Sequence, residues 1–199
     1  MTNNQIRAEY NDTTITVYQA YNSAIAKGAV VNQTFVPPFK MERMTWIKPS
    51  YLWMMYRSGW AQKEGQEHIL KIKIKREGFE WALSNACLSH FDSNTHQDRE
   101  NWKTTLQQSP VRIQWDPEKN IFLEALPYRS IQIGLSGEAV GKYVNEWITE
   151  IEDITDDCKK IQQLITIGKI DEAKALLPAE EIYTIPTAIG EPIAAATNI

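Results

Sequence analysis

Apolar and polar residues alternate most regularly in the segment HILKIKIK, residues 68–75. A period of two residues is typical of a β-strand with one buried and one solvated face. The two faces consist of the apolar Leu70, Ile72 and Ile74 and of the basic Lys71, Lys73 and Lys75. The pattern therefore predicts a half-buried strand whose outer face is basic.

Other segments also have the composition of strands. β-Branched and aromatic residues, which favour extended structure, are concentrated in 13–20 and in 128–135, and MTWI at 44–47 is expected to be extended. Residues 111–126 predict a hairpin in which DPEKN (116–120) forms the turn.

Capping residues and helical spacing predict the helices. Asn22 is expected to cap a short helix. Pro49 or Ser50 is expected to begin a helix that runs to Arg57 and stops at Gly59.

The second half of the chain contains most of the remaining helical patterns. The polar segment 93–110 is expected to be a loop, with a helical turn near Trp102. The predicted helices are 77–91, one capped by Ser136 with Val140, Val144, Trp147, Ile148 and Ile151 on one face, one capped by Thr155 and ending near Gly168, and one from Asp171 to Pro178.

Strands and helices are mixed without a regular βα repeat, which indicates the α+β class. We expect one domain over residues 1–182, with a mixed or antiparallel sheet, flanking helices and a helical C-terminal part at about 137–178. Residues 183–199 contain two prolines and little periodicity. They are expected to form an extended or disordered tail.

Composition limits the function classes. The 199 residues are 43% apolar and include seven Trp, which suits one globular domain. The net charge of −4 provides no general basic field of the kind found in nucleic-acid binders, so an anion site has to be local. The chain shows no signal-peptide pattern, no apolar run approaching ~18 residues and no closely spaced cysteines. We therefore expect a cytoplasmic protein that does not enter a membrane.

Two further patterns are weak indications of chemistry. Residues 87–98 contain one Cys, two His and two Asp, but their spacing matches no common zinc site, and no metal is expected. IGLSGEAV (133–140) resembles a nucleophile elbow, but its second glycine comes one residue early and all histidines precede Ser136.

The most specific segment is FKMERMTWIKPSYLWMMYRSGW, residues 39–60. It holds three of the seven Trp, every Met except the initiator, and the four cations Lys40, Arg43, Lys48 and Arg57. Two interpretations remain open. The segment is either a core element with an unusual rim, or it lines a pocket for a flat, anionic ligand.

The spacing within this segment supports a ligand site as well as a core. Trp53, Arg57 and Trp60 lie at i, i+4 and i+7 on the predicted helix, where a guanidinium can stack between indoles. Leu52, Met55 and Tyr56 form another side that suits the core. Upstream, Arg43, Trp46 and Lys48 lie close to the helix start at Ser50, where free backbone N–H groups favour anions.

Polar residues are also embedded in the predicted strands. Arg7, Gln19, Arg129 and Gln132 interrupt apolar segments, and buried polar groups require hydrogen-bond partners. Their partners are either one another or a substrate.

Several long runs, QIRAEY, TVYQAY, residues 35–60, REGFEWAL, QWDPE and YRSIQIGLSGEAV, resemble the domain-of-unknown-function family 4291. The resemblance covers roughly residues 5–150. It implies a microbial, cytosolic protein, and the family name implies no activity.

A second, weaker resemblance is to the ADP-ribosyltransferase fold. TVYQAYNSAIAKGAV is similar to its first strand and helix, and TWIKPSYLWMMYRSG followed by HILKIKIK is similar to its second element. Position by position, Tyr18 matches the family's tyrosine and Gln19 its histidine. Trp46 takes the place of the nicotinamide-stacking tyrosine, and Ser50 that of the helix-start serine.

Two positions depart from this pattern. Gln19 is not histidine, and Gln132 stands where the fold has an acidic residue on a late strand. Glu138, just beyond, is the nearest carboxylate. These departures leave open whether the chain is an enzyme.

The resemblance implies that NAD or a related nucleotide binds and that ADP-ribose is transferred from it. Arg43, Lys48 and the helix start at Ser50 would hold phosphate, and Trp46 and Tyr18 would stack on a ring. The candidate ligand-binding residues are Arg7, Tyr18, Gln19, Arg43, Trp46, Lys48, Ser50, Trp53, Arg57 and Arg129, and the candidate catalytic residues are Glu138 and Gln132.

Two alternatives of other classes remain. In a single-stranded nucleic-acid module, the same aromatic residues would stack on bases and the lysines of 71–75 would follow the backbone. In a protein-interaction domain, a surface rich in Trp and Met would meet a partner.

Overall fold

The computed structural model describes residues 3–195 and has an α+β fold, which confirms the predicted class. The strands are β1 (Arg7–Ala8), β2 (Thr14–Tyr21), β3 (Thr45–Ile47), β4 (His68–Lys75), β5 (Ala86–Leu88), β6 (Val111–Lys119), β7 (Ala125–Leu135), β8 (Ile148–Asp153) and β9 (Glu181–Ile182). The helices are α1 (Ser23–Asn32), α2 (Tyr51–Ser58), α3 (Arg76–Ser84), α4 (Arg99–Gln108), α5 (Glu138–Lys142), α6 (Thr155–Thr166), α7 (Ile170–Ala175) and α8 (Thr187–Gly190), with a π-helical turn at Tyr143–Trp147 and a 3-10 turn at Glu191–Ile193.

The predicted strand 68–75 is confirmed as β4, the centre of an antiparallel sheet of order β2-β4-β8. Ile72 and Ile74 are fully buried and lie opposite Val17 and Ile15 of β2. Burial of these branched side chains, two from β2 and two from β4, is the main contribution to the stability of this sheet.

The outer face of β4 is not a free basic surface. The Lys71 ammonium lies 2.9 Å from a Glu9 carboxylate oxygen, and that of Lys73 lies 2.7 Å from Glu150. The lysine row is therefore largely neutralised by neighbouring acids.

A second sheet has the order β3-β7-β6-β5, in which β5 runs parallel to β6 and the other pairs are antiparallel. The two sheets meet at one isolated β-bridge between Tyr18 and Lys48. The Tyr18 N–H donates to the Lys48 carbonyl at 2.7 Å, and the Lys48 N–H donates to the Tyr18 carbonyl at 3.3 Å.

The chain beyond residue 183 corrects the predicted tail. Tyr183, Ile185 and Ile193 are buried in the main core, and the Trp115 indole N–H donates to the Ile193 carbonyl at 2.8 Å. These apolar residues are buried one at a time against different elements, so they show no helical or strand period. Residues 196–199 of the expected tail lie outside the described residues.

The predicted helix after Ser136 is wrong at its end, because β8 begins at Ile148. Ile148 and Ile151 lie opposite Ile74 and Ile72, with a register irregularity between Lys73 and Ile74. An extra residue at a β-bulge places two residues three apart on one face of a strand. Because of the bulge, Ile148 and Ile151 are three residues apart in the sequence, a spacing that is also typical of one face of a helix.

Two other predicted boundaries also differ from the structure. The predicted helix 77–91 stops at Ser84, and Ala86–Leu88 pairs with β6. The polar segment expected to be a loop contains α4, in which Asp98 accepts from the Asn101 N–H at 2.7 Å and no residue is buried. Without an apolar face, this helix leaves no periodic signal.

The helix ends predicted at Asn22, Ser50 and Gly59 and near Gly168 are confirmed, the caps predicted at Ser136 and Thr155 are wrong, and α7 ends at Ala175, before the predicted end at Pro178. Asn22 and Ser50 cap α1 and α2 through their side chains, and Gly59 ends α2 in a left-handed conformation. Ser136 instead donates to the Pro110 carbonyl at 2.9 Å, and the Thr155 hydroxyl accepts from the Ile69 N–H at 2.9 Å. Both hydroxyls bind neighbouring strands and do not cap helices.

Of the side of α2 that was predicted to be buried, Met55 is fully buried, Leu52 is half-buried and Tyr56 is 45% exposed. The other buried residues of this helix are Tyr51, Trp53, Met54 and Ser58. Among the described residues, no helix has the length and apolar content of a membrane span.

Met55 should contribute strongly to stability, because its side chain is 0% exposed. We expect Met55→Ala to lower the free energy of unfolding by about 2–5 kcal/mol through lost burial and a new cavity. Urea denaturation at equilibrium measures the change. Val31→Ala, at a side chain that is 81% exposed, is the control and should change it by less than about 0.5 kcal/mol. A loss below about 1 kcal/mol at Met55 would contradict the packing.

Candidate functional site

Two neighbouring cavities lie where β2, β3 and α2 meet. One has a volume of about 320 Å³ and the other about 430 Å³, and they share Tyr21, Met44 and Thr45 as a common wall. We call the two cavities together the basic cleft; its polar and aromatic walls include Gln19, Tyr21, Thr45, Trp46, Lys48, Arg57 and Gln66 in the first cavity and Asn22, Phe39, Lys40 and Arg43 in the second.

The basic cleft concentrates positive charge. It is lined by Lys40, Arg43, Lys48 and Arg57, and no Asp or Glu of the described residues lines it. Within residues 3–195, none of these four side chains forms an ion pair with a carboxylate. A protein of net charge −4 thus carries a local, unneutralised basic region.

Lys48 is the most unusual of these residues, because it is only 4% exposed. Its Nζ lies 4.6 Å from the centre of the Trp53 ring and 6.0 Å from that of Trp46. Burial and, to a smaller extent, the nearby Arg57 guanidinium lower the pKa of Lys48 to about 7, while Asp116 acts in the opposite direction. Desolvation of the ammonium therefore outweighs its attraction to the rings.

Gln19 organises one wall of the cleft. Its amide nitrogen lies within hydrogen-bonding distance of Thr45 Oγ1 (2.7 Å), the Tyr21 hydroxyl (2.9 Å) and the Trp46 carbonyl (3.2 Å). Its oxygen accepts from the Tyr143 hydroxyl at 2.7 Å. All polar atoms of Gln19 have protein partners, so the residue positions β3 and the hydroxyls beside it.

The start of α2 is occupied by the protein's own carboxylates. Ser50 Oγ donates to Glu118 Oε1 at 2.8 Å, and the Tyr51 N–H donates to Glu180 Oε1 at 2.6 Å. Burial raises the pKa of Glu118 and raises that of Glu180 to about 8. The place predicted for phosphate at Ser50 is therefore filled by two side chains.

A comparison with known protein families identifies the family of this chain. The model of a family described as a domain of unknown function (DUF4291) matches residues 5–183. The chain belongs to this family. The match confirms the family resemblance predicted from the sequence and extends past its expected end at residue 150. No curated protein matches the chain.

In this DUF4291 domain, neighbouring residues of β2 face different cavities. Gln19 faces the basic cleft, whereas Tyr18 lies edge-on to Tyr51 at 5.5 Å between ring centres and lines a separate cavity with Lys71. Adjacent side chains of a strand point to opposite faces. The structure therefore does not bring Tyr18 and Trp46 onto one ligand ring, as the sequence analysis expected.

Four other candidate residues lie outside the basic cleft. Arg7 donates to the Glu180 carbonyl at 3.2 Å, and Arg129 donates to the Trp115 carbonyl at 2.9 Å. Gln132 is buried and donates to Asp116. Glu138 is exposed at the start of α5 and is not among the residues that line the cleft. Of the predicted ligand-binding residues, the cleft gathers Gln19, Arg43, Trp46, Lys48 and Arg57, and Trp53 lies beneath Lys48.

Two acids that the sequence did not single out lie near the cleft without lining it, Glu118 at the start of α2 and Asp116 close enough to act on Lys48. DPEKN was predicted to be a turn, but β6 continues through Lys119 and carries Asp116 and Glu118. Asp116 accepts hydrogen bonds from Gln114 and Gln132. Polar residues at 114, 116 and 118 continue the strand's period of two, and this is the signal that could have revealed them.

Glu180 gives a prediction about pH. A carboxyl whose pKa is about 8 in the folded chain and near 4.5 when unfolded binds its proton more tightly in the fold, so stability falls as pH rises from about 4.5 to 8. Gln resembles the protonated acid and keeps an acceptor for the Tyr51 N–H. We expect Glu180→Gln to raise the melting temperature above that of the wild type increasingly from pH 5 to 9.

Thermal melts across this pH range measure the difference. Glu181→Gln, at the exposed neighbouring position, is the control and should follow the wild type at every pH. Parallel curves for Glu180→Gln and the wild type would contradict a protonated Glu180 at the start of α2.

Proposed function

We propose that this DUF4291 domain binds a nucleotide of the NAD type in the basic cleft. The observation that carries the proposal is a cleft with four basic side chains, an accessible indole and no lining acid, on a protein of net negative charge. Flat rings and phosphates are the two chemical features of a nucleotide, and this cleft offers a partner for each.

The size and layout of the cleft suit a ligand with two parts. Small-molecule sites commonly enclose ~300–1,000 Å³, and the two adjoining cavities measure about 320 and 430 Å³. In the first, Trp46 contacts a ring while Lys48 and Arg57 meet phosphate. In the second, Lys40 and Arg43 meet the charge of the other half of a dinucleotide.

Transfer of ADP-ribose from the bound nucleotide is the second part of the proposal. Cleaving the nicotinamide–ribose bond builds positive charge on the ribose, which a carboxylate stabilises in the transition state. Asp116 is the carboxylate whose charge acts on Lys48, and Gln132 holds it by a hydrogen bond. Neither Asp116 nor Glu138 lines the cleft, and we assign this role to Asp116 in place of Glu138 because the charge of Asp116 reaches Lys48 in the cleft wall.

The alternatives of the sequence analysis have less support. A single-stranded nucleic-acid module would need the lysines of β4, but Lys71 and Lys73 are paired with Glu9 and Glu150. A protein-interaction surface of Trp and Met would need those side chains outside. Trp53, Met54, Met55 and Trp60 are all at most 6% exposed.

Nucleotide binding should depend on the guanidinium groups of the cleft. We expect Arg57→Gln and Arg43→Gln each to weaken NAD binding by about 10-fold or more, because a lost charged contact to phosphate is worth roughly 1.5–3 kcal/mol. Titration calorimetry measures the affinity. Both side chains are exposed, so the melting temperatures should stay close to that of the wild type.

Lys27→Gln is the matched control, since it removes one exposed charge from α1, and Lys27 is not among the residues that line the cleft. It should bind NAD like the wild type. Equal affinities in all the variants, or no binding by the wild type, would overturn the proposal.

The transfer step is tested by the release of nicotinamide from NAD. We expect Asp116→Asn to reduce the rate at least ~100-fold while NAD binding is retained, since a single electrostatic group commonly contributes 10²–10³ in rate. Glu138→Gln should stay within about twofold of the wild type. Equal loss in both variants would remove the assignment to Asp116, and no release by the wild type would leave binding without transfer.

A further inference from the structure

We propose that Lys48 is a nucleophilic amine that forms an imine with an aldehyde carrying a phosphate group. The phosphate part of this inference rests on the anion binding proposed for the basic cleft. The amine part rests on the surroundings of Lys48 and stands separately.

The groups around Lys48 favour the neutral amine. The charged groups that face it are the Arg57 guanidinium from α2, which repels an ammonium, and Asp116 from β6, which attracts one without forming an ion pair. The Trp53 and Trp46 rings, whose centres lie 4.6 and 6.0 Å from the Lys48 Nζ, are uncharged. With a pKa of about 7, close to half of the Lys48 side chains are free amines at neutral pH, against well under about 0.1% for an ordinary lysine.

The amine is also placed where a ligand can reach it. Lys48 is 4% exposed, and it lines the first cavity of the basic cleft. A lysine that is desolvated and next to another cation is an arrangement that enzymes use for covalent chemistry with carbonyl compounds. Arg57 in the same cavity offers the contact for a phosphate on the incoming aldehyde.

The covalent step conserves atoms and requires no oxidant or reductant. The Nζ lone pair attacks the carbonyl carbon and gives a carbinolamine, whose C–O bond then breaks as water leaves and a C=N bond forms. Tyr21 and Thr45 hydroxyls line the same cavity, 2.9 Å from each other. Burial raises the pKa of Tyr21 to about 12, so its phenol stays protonated and can donate a hydrogen bond to the departing oxygen, which leaves as water with a proton from the solvent.

The test uses the full chain with pyridoxal 5′-phosphate as the probe, borohydride to reduce the imine, and peptide mass spectrometry to locate the adduct. We expect the label on Lys48 at pH 7, with labelling half-maximal near pH 7. Pyridoxal, which lacks the phosphate, should label Lys48 at least about 10-fold less. Labelling spread over exposed lysines, with Lys48 unmodified, would overturn the proposal.

Two variants test whether Lys48 is the residue that forms the imine. Lys48→Arg keeps the charge and should lose the label, and Lys27→Arg, at an exposed lysine of α1 outside the cleft, should keep it. The pH profile of the wild type does not depend on either variant folding. Labelling of Lys48→Arg at the wild-type level would overturn the proposal.

Further measurements distinguish a nucleotide aldehyde from a small sugar phosphate. They also distinguish the imine proposal from the nucleotide-binding proposal. Open-chain ADP-ribose trapped on Lys48 in preference to glyceraldehyde 3-phosphate would support a nucleotide aldehyde, and the reverse preference would support a small sugar phosphate. Equal labelling by pyridoxal and its phosphate would overturn the phosphate part while the nucleophilic amine stands. NAD calorimetry on the same sample reports separately on the nucleotide proposal.

Discussion

The site depends on the single backbone bridge between Tyr18 and Lys48. Two hydrogen bonds, of 2.7 and 3.3 Å, fix β2 against the segment that leads from β3 into α2. Because the bridge sets the register, the Gln19 side chain faces the cleft and the Tyr18 side chain faces away. The bridge also fixes the backbone of Lys48, so that backbone hydrogen bonds as well as side-chain packing hold this lysine in the wall of the cleft.

Acidic groups lie at the start of α2, and basic groups lie in the cleft beside this helix. Glu118 and Glu180 occupy the start of α2, while Lys48 and Arg57 line the cleft before and along that helix. Burial raises the pKa of both carboxyl groups, and a protonated carboxyl still accepts a hydrogen bond from a backbone N–H. The two acids are thus held by groups at the start of α2 and do not line the cleft. The cleft therefore keeps a positive field in a protein of net negative charge.

Local patterns in the sequence were sufficient for much of the fold. The period of two in β4, the Ser50 cap and the Gly59 stop of α2 each depend on residues close in sequence. The different facing of Tyr18 and Gln19 could also have been predicted, since strand parity is a local property. The expectation of phosphate at Ser50 could not have been corrected in this way. Glu118 lies 68 residues from Ser50, and Glu180 lies 129 residues from Tyr51.

The pairing of β1 with β9 joins residues near the two ends of the described chain, Arg7 with Ile182 and Ala8 with Glu181. Glu180, immediately before β9, supplies the carboxylate at the Tyr51 N–H. A chain growing on the ribosome can form β2, β4 and α2 early, but the start of α2 stays incomplete until residue 180 has emerged from the exit tunnel. The helix that carries Arg57 into the cleft therefore gains its last N-terminal contact only after residue 180 has been made, although residues 19–66 supply the walls of the cleft.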